Sequence, residues 1–466
     1  MRRRRLGALV LLLALGLLAI AALRDFVRLG DALPWKQLYD FPDFYCAGAA
    51  LDERADPYRY EPLHRCEHAV NESAAYRHDP RRVVPAPLPP YDFPPFMLAA
   101  RLSFSLARTI DAVAILLAVA AAVWGLTLVA VPWEVAALSL LLPGGFLLLA
   151  AGQIVPFALL ALVLCGVALA RRQDSLAGVL AAATMIEPHL GLPVCLAALV
   201  WAPRSRGALI GAGIVLGCVA AITTGIGGVA EYLSRVVPAQ AAAETGYVYQ
   251  YSLTYVLKTL GAPAFAAIVV GELSYAAVLV LSIWLARRLE LALGRRELLA
   301  YLPAALSLAG GPYVHMVDLA VAVPAALVLT TCLRGRAQNL AALSLVMLAI
   351  PWIAVWITKK LFLSTLLVVA ALLLRLQIGA AESVITFASV GAAMYLLELA
   401  PPAPFVAITL TSFAAGDLAQ DAWREYVAGL GAAGPLWFVV KLPTWIALGG
   451  LVAVSIGAAR SRPAQR

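Results

Sequence analysis

Of the 466 residues, 62% are hydrophobic and only 13% are charged. A soluble domain carries about 25% charged residues, so this chain cannot cover itself with enough polar surface to be one or several soluble domains. The net charge of +8 does not mark a nucleic-acid partner either, because the basic residues cluster at the ends of apolar stretches, the pattern of the positive-inside rule.

Apolar stretches long enough for roughly 30 Å of hydrocarbon recur from end to end. The expectation is an all-α polytopic membrane protein with about 11–14 transmembrane or re-entrant helices. It forms one integral membrane domain, with a large first outer loop carrying short amphipathic helices. In chain order, Arg2 to Arg5 precede an apolar run at residues 6–24. Small residues at Ala19, Ala21 and Ala22 would suit a signal-peptide cut, but the run is long for that and many helices follow. It is read as an uncleaved first helix with a cytoplasmic N-terminus.

Residues 25–95 then form the first outer loop, and 96–398 the helical membrane core. The stretch 96–107 is placed at the interface, and helices are expected near 110–130, 134–150 and 153–170, the last ending at Arg171-Arg172. Two short apolar pieces, 175–187 and 189–203, are broken at Glu187-Pro188-His189 and bounded by basic ends that both belong inside. Proline forbids a continuous helix there, so they read as a hairpin entering and returning on the cytoplasmic side. Glu187 and His189 are then helix-breaking structure near the inner side.

Residues 207–226 run outward to a second outer loop at 227–262, and 264–286 return to Arg287-Arg288 and Arg295-Arg296. Further helices are expected at 298–310, 317–333 (ending at Arg334 and Arg336), 338–357, 361–376 and 380–398. A third outer loop, 399–434, contains Asp417, Asp421 and Glu425; the last helix, 435–459, ends at Arg460 and Arg462 inside. The three polar outer segments share one face. Lys359, Lys360 and Lys441 fall on that outer side against the rule.

Of six cysteines, Cys165, Cys195, Cys218 and Cys332 lie in apolar helices, where cysteine behaves as a small hydrophobe. Cys46 and Cys66 both fall in the first outer loop, where an oxidising compartment permits a disulfide. A zinc site completed by His64 and His68 is the alternative. No phosphate-binding loop, HExxH zinc motif or GxSxG nucleophile elbow is present. Gly207, Gly211 and Gly217 read as close helix packing.

The densest polar constellation is Asp40-Phe41-Pro42-Asp43-Phe44-Tyr45-Cys46-Ala47-Gly48-Ala49-Ala50-Leu51, followed by Asp56-Pro57-Tyr58. Phe44, Ala47, Ala50 and Leu51 keep helical spacing, which suggests a short amphipathic helix along the membrane surface with Asp43 at or near its N-cap. Asp43 is therefore either a cap or a catalytic carboxylate. Asp56-Pro57-Tyr58 has turn chemistry.

The string Asp43-Phe44-Tyr45-x-Ala47-x-Ala49-Ala50-Leu51 with Asp56-Pro57-Tyr58 resembles the first outer loop of the glycosyltransferase 87 family, polyprenyl-phosphate-mannose-dependent enzymes of the GT-C superfamily. Tyr91-x-Phe93-Pro94-Pro95 is similar to the family's Tyr-Pro-Pro element, Gly152-Gln153 to its Gly-Gln step, and Ala177-Gly178 through Pro188 to its alanine-rich segment ending in Lys-Pro. Gln250-Tyr251-Ser252-Leu253 resembles its Asn-Gln-Ser-Leu loop, and Gly311-Pro312-Tyr313-x-His315 its Ser-Pro-x-x-x-His turn. These elements lie in order between about residues 30 and 330; the last 130 or so residues show no such resemblance. Two positions depart from the pattern: Glu187 stands where the family has lysine, and Tyr249 where it has asparagine.

The resemblance implies an inverting transfer of a sugar, mannose, from a polyprenyl-phosphate donor to a hydroxyl of a glycolipid or glycan. The site would lie on the outer side of a plasma (inner) membrane, with both termini cytoplasmic. An acceptor hydroxyl needs a base as it attacks the anomeric carbon; Asp43 is the candidate and Asp40 the alternative. The leaving group is already a phosphate, so no second carboxyl has to protonate it, and no metal or cofactor is required. Cations on the outer side would hold the phosphate: His315, Lys258, Arg59 and Lys359 or Lys360. Gln153, Gln250 and Tyr251 are further substrate-contact candidates. Two other function classes remain: a transporter or flippase, which predicts charges buried mid-membrane (Glu187 and Glu272 are the main ones) and internal repeats, and a non-catalytic envelope-assembly subunit.

Overall fold

The computed structural model describes residues 2–70, 81–376, 378–402, 410–429 and 434–460. Parts of the first and third outer loops (71–80, 403–409, 430–433) and Arg462 thus lie outside the described residues. The described chain is all-helical, 79% helix with no strand. Seven helical stretches are long and apolar enough to cross a membrane: Phe104–Thr127, Trp133–Ala151, Pro203–Glu244, Ala264–Leu293, Gly335–Thr358, Ala380–Leu399 and Pro435–Arg460. Shorter apolar helices fill the centre, among them Val155–Ala170, Leu298–Ser307 and Asp318–Cys332. Leu298–Ser307 is buried on every side, as expected of a helix apolar all round, whereas Pro203–Glu244 and Ala264–Leu293 bury little and present Ile222, Ile226 and Val280 outward. Arg2–Val27 forms a helix that packs on Phe362–Arg375.

Prolines and a glycine set the departures from the expected boundaries. The stretch expected at 134–150 is interrupted by a wide π turn, Leu141–Leu148, at Pro143, where proline lacks the N–H of a regular turn. The helix expected to end at 226 does break at Gly225 (φ 75°), but helix resumes at once to Glu231 and runs on through a π turn to Glu244. Only glycine reaches that backbone angle without strain. The second outer loop is correspondingly short, and it carries a further helix, Leu253–Thr259. The last apolar stretch breaks at Val440-Lys441, ahead of Pro443. Within the stretch 96–107, Phe93–Ala100 is a short helix and Phe104–Ala107 is the first turn of a long one.

The hairpin expected around Pro188 is present as Asp174–Ala183 and Pro188–Trp201. It folds back antiparallel, because Cys195 Sγ meets the Ala181 carbonyl at 3.1 Å and a side chain at Gly191 would touch the Thr184 carbonyl.

In the first outer loop, Phe41–Asp52 is helical. It does not lie on a surface by one face: Phe41, Pro42, Asp43, Phe44, Cys46, Ala47, Gly48 and Ala50 are all buried, between the helices Tyr60–Val70 and Phe93–Ala100. At Gly48 the backbone of Phe96 comes so close that an added Cβ would lie 2.4 Å from its carbonyl. Cys46 and Cys66 are joined as a disulfide, Cα–Cα 5.5 Å, which takes both sulfurs from the zinc alternative; the His64 and His68 rings meet at a tilt, centroids 4.5 Å apart. The bond closes a loop of 20 residues, so removing it should cost about 3 kcal/mol. We expect the double variant Cys46→Ala/Cys66→Ala to unfold at clearly lower temperature in detergent, and reductant to lower the wild-type midpoint similarly. An unchanged midpoint in both would contradict this.

Candidate functional site

The segment before the first-loop helix docks on the end of a membrane helix. Tyr39 and Asp40 donate backbone N–H groups to the carbonyls of Ala150 and Ala151, at 3.0 and 2.8 Å. Gly152 follows at φ 66°, its Cα so near Leu38 that a Cβ would sit 3.0 Å from the Leu38 Cα. This turn lets Gln153 donate its amide N–H to the Asp40 carboxylate, so the Gly-Gln step is a clamp on Asp40. Burial pushes the Asp40 carboxyl up to about 6, against the opposing pull of Gln153 and of the Arg82 charge.

Asp40, not Asp43, occupies the N-cap position, and its side chain caps nothing. Asp43 lies in the first turn, 1% exposed, where the helix dipole favours negative charge. Asp43 is thus near the N-cap, as expected, but is not the N-cap residue. Asp56 does form the expected turn, accepting from the Tyr58 N–H at 3.0 Å.

Facing these carboxylates is the tip of the hairpin. His189 presents Nδ1 3.6 Å from Glu187 Oε2 and Nε2 3.1 Å from Asp318 Oδ2. The hydroxyl of Tyr275 donates to the His189 carbonyl at 2.7 Å, and that of Tyr91 to the Met185 carbonyl at 2.7 Å. The remaining wall comes from two segments zipped together. Tyr251 N donates to Val314 O (2.7 Å), Met316 N to Tyr249 O (3.1 Å), and Val314 N to Gln250 Oε1 (2.9 Å). Gln250 also donates to Glu244 Oε2 at 3.0 Å, and Trp423 Nε1 to Glu244 Oε1 at 2.6 Å. His315 lies flat against Tyr247, centroids 5.7 Å apart, and its backbone N–H reaches Asp318 at 2.6 Å. Its Nδ1 is buried with no hydrogen-bond partner among the described residues. Burial pulls this imidazole down to about 4, so it is neutral at physiological pH.

Together these groups enclose a cavity of about 850 Å³. Asp40, Asp43, Gln153 and His315 line it, with Tyr91, Glu187, His189, Glu244, Tyr247, Glu272, Tyr313 and Trp423. The other expected contact residues are elsewhere. Gln250 and Tyr251 are buried behind the wall and hold it in shape. Arg59 is engaged by Asp56 at 2.7 Å and by Glu231. Lys258 is exposed on its helix, outside the cavity. Lys359 reaches the carbonyls of Glu398 and Ala400, and Lys360 that of Arg28.

One placement is corrected. Glu187 and His189 do break the helix, but the hairpin tip that carries them is not remote from the outer-loop carboxylates: it shares their cavity. Glu244, Asp318 and Trp423 were not singled out for the site by sequence reasoning. Each acquires its place through a contact more than a hundred residues away or through a buried hydrogen bond, for which no local pattern exists. The tyrosines at 247–251 were the available signal.

No protein-family model, no curated protein and no solved structure matches this chain.

Proposed function

We propose that the chain is a membrane glycosyltransferase of GT-C type. It transfers a sugar, mannose by the resemblance, from a polyprenyl-phosphate donor to an acceptor hydroxyl on the outer face of the plasma membrane. The observation that carries this reading is convergence. Segments that resemble the glycosyltransferase 87 motifs are scattered from Asp43 to His315, and they contribute Asp43, Tyr91, Gln153, Pro188 and His315 to one cavity. Each segment is a weak signal alone, and nothing in their spacing obliges them to meet.

In the proposed reaction, the acceptor oxygen attacks the anomeric carbon from the face opposite the phosphate. Its proton passes to the Asp43 carboxylate as the new C–O bond forms. The old bond from the anomeric carbon to the phosphate oxygen breaks, polyprenyl phosphate leaves with the electron pair, and the anomeric configuration inverts. Aromatic faces such as Tyr247 and Trp423 suit stacking on a sugar ring. The direct test is incubation of membranes containing the chain with radiolabelled polyprenyl-phospho-mannose. Transfer of label with inverted configuration is expected; absence of transfer from any polyprenyl-phospho-sugar would remove the reading.

The account has a pH signature. Asp40 loses its proton as pH rises through about 6. Its negative charge near Asp43 then strengthens Asp43 as a base, so transfer should rise with pH through that region. Gln153→Leu removes a hydrogen bond that favours the charged Asp40, and the rise should move to higher pH. A rate profile with the same midpoint in both proteins would contradict the assignment.

A second reading has one observation in its favour. His189 set between Glu187 and Asp318 is the kind of buried titratable group that proton-coupled carriers use. Proton-dependent uptake of a solute by vesicles, abolished in His189→Gln, would support it.

A further inference from the structure

The cavity changes character along the helical run from Arg206 to Glu244. Leu209, Gly213, Leu216, Gly217 and Ala220 line it first, and Gln240 and Glu244 last. The first five recur at helical spacing, so they form one face of the helix Arg206–Glu231. Across from them, Leu192 and Cys195 lead away from the hairpin tip on the helix Pro188–Trp201. The result is an apolar trench with acidic groups, Glu187 and Glu244, at one end.

The trench is shaped as a wedge. At its narrow end the helices touch: an added Cβ at Gly178 would strike the Ser205 carbonyl and lie 2.9 Å from the Leu209 nitrogen. At Gly213 and Gly217 they have parted, because an added Cβ there meets nothing within 4 Å. The close packing expected at Gly207, Gly211 and Gly217 is therefore absent. At all three an added Cβ meets nothing within 4 Å, and Gly217 opens into the cavity. Beyond the break at Gly225, the lining residue Leu233 is 64% exposed. The wedge is thus open sideways, on a helical stretch apolar enough to cross a bilayer.

We propose that this wedge holds the hydrocarbon chain of the same lipid whose head occupies the carboxylate end, with Gly213 and Gly217 as the residues that leave room for it. The inference rests on the lipid-linked reading above and adds the residues that give the tail its space. Two features name the occupant. The trench is apolar where a water-soluble ligand would need polar partners, and it is continuous with the polar end, so one amphiphile fills both. From Leu209 to Ala220 the face rises about 16 Å, about half of the hydrocarbon thickness, the depth reached by a chain hanging from a head at the membrane surface. The chain leaves one apolar medium for another, so the gain is close contact with the trench walls rather than escape from water. Selectivity therefore depends on the width of the trench, which the two glycines set.

The test maps contacts and needs no turnover. The full chain, in nanodiscs of phosphatidylcholine, is mixed with polyprenyl phosphate carrying a photoreactive diazirine in its chain, irradiated and digested. Labelled peptides from 209–220 and 185–195 are expected. Gly213→Trp should lower their labelling about tenfold, the penalty of a large side chain in a filled space. Gly211→Trp is the control: Gly211 has the same open space but does not line the cavity, and labelling should match the wild type. If Gly213→Trp does not fold, Gly217→Leu takes its place, and the wild-type map decides by itself. Labelling spread evenly over outward-facing helices such as Ala264–Leu293, or labelling of the trench that Gly213→Trp leaves unchanged, overturns the proposal. Phosphatidylglycerol is the competing probe. An excess that removes the label as well as unlabelled polyprenyl phosphate does shows a trench for any bilayer lipid, and also overturns the proposal. Transfer by the wild type is scored separately, so a chain labelled in the trench without turning the donor over keeps this inference and loses the enzymatic one.

Discussion

Asp43→Asn should lose transfer by about 10²- to 10⁴-fold, the range contributed by a positioned general base, while the protein still inserts and folds. The substitution keeps the size and shape of the side chain but leaves no group at position 43 able to take the acceptor proton. Asp43 is buried in the first turn of its helix, so part of the effect of the amide is structural, including the loss of about 0.3–1 kcal/mol of favourable dipole interaction. Initial rates with radiolabelled donor, alongside thermal midpoints in detergent, separate the two effects. Asp40→Asn serves as the comparison. Asp40 is occupied with Gln153, so its loss should lower the rate less than that of Asp43. The reverse order of effects would transfer the role of base to Asp40.

Gly48→Ala is expected to do nearly as much damage by a different route. The added Cβ would sit 2.4 Å from the carbonyl carbon and oxygen of Phe96 and 2.8 Å from the Met97 nitrogen. These are backbone atoms of the helix Phe93–Ala100, which cannot rotate aside as a side chain could. The two helices must part, at a cost of about 1–3 kcal/mol. Asp43 lies just over one turn earlier on the same helix, so it is carried away from the cavity, and ångström-scale misplacement of a catalytic group costs rate steeply. We expect a lower thermal midpoint and a large fall in transfer together. Gly211→Ala is the control, since an added Cβ there meets nothing within 4 Å and both properties should stay at wild-type values. A Gly48→Ala protein with an unchanged midpoint would show that the tight approach at Phe96 is not needed.

Much of the scaffold could be read directly from the chain, because apolar length and proline position act locally. The hairpin at Pro188 is an example: proline lacks the N–H and disfavours helix at the residue before it, and the break falls at Glu187, which is extended, with Pro188 at the first position of the next helix. Cys46 and Cys66 were readable as a pair because they share one loop. The break in helical geometry at Gly225 falls at the expected end of the helix 207–226, but nothing local to it tells that helix resumes beyond.

At the site, Asp43, Gln153 and His315 were nominated and meet in the cavity. The electrostatics were not readable. Arg59 looks the same in sequence whether it is available to a ligand or engaged by Glu231, 172 residues away. Glu187, which stands where the resembling family has lysine, finds His189 beside it and Asp318 beyond, and that grouping is made only by the fold.

The most direct test of the central claim is a cryo-electron microscopy map of the full chain, in nanodiscs, with polyprenyl-phospho-mannose bound to the Asp43→Asn variant. The account predicts headgroup density in the cavity, with the anomeric carbon facing residue 43 and the sugar near Tyr247 and His315. Headgroup density outside the cavity, or a sugar whose anomeric carbon faces away from residue 43, would contradict it.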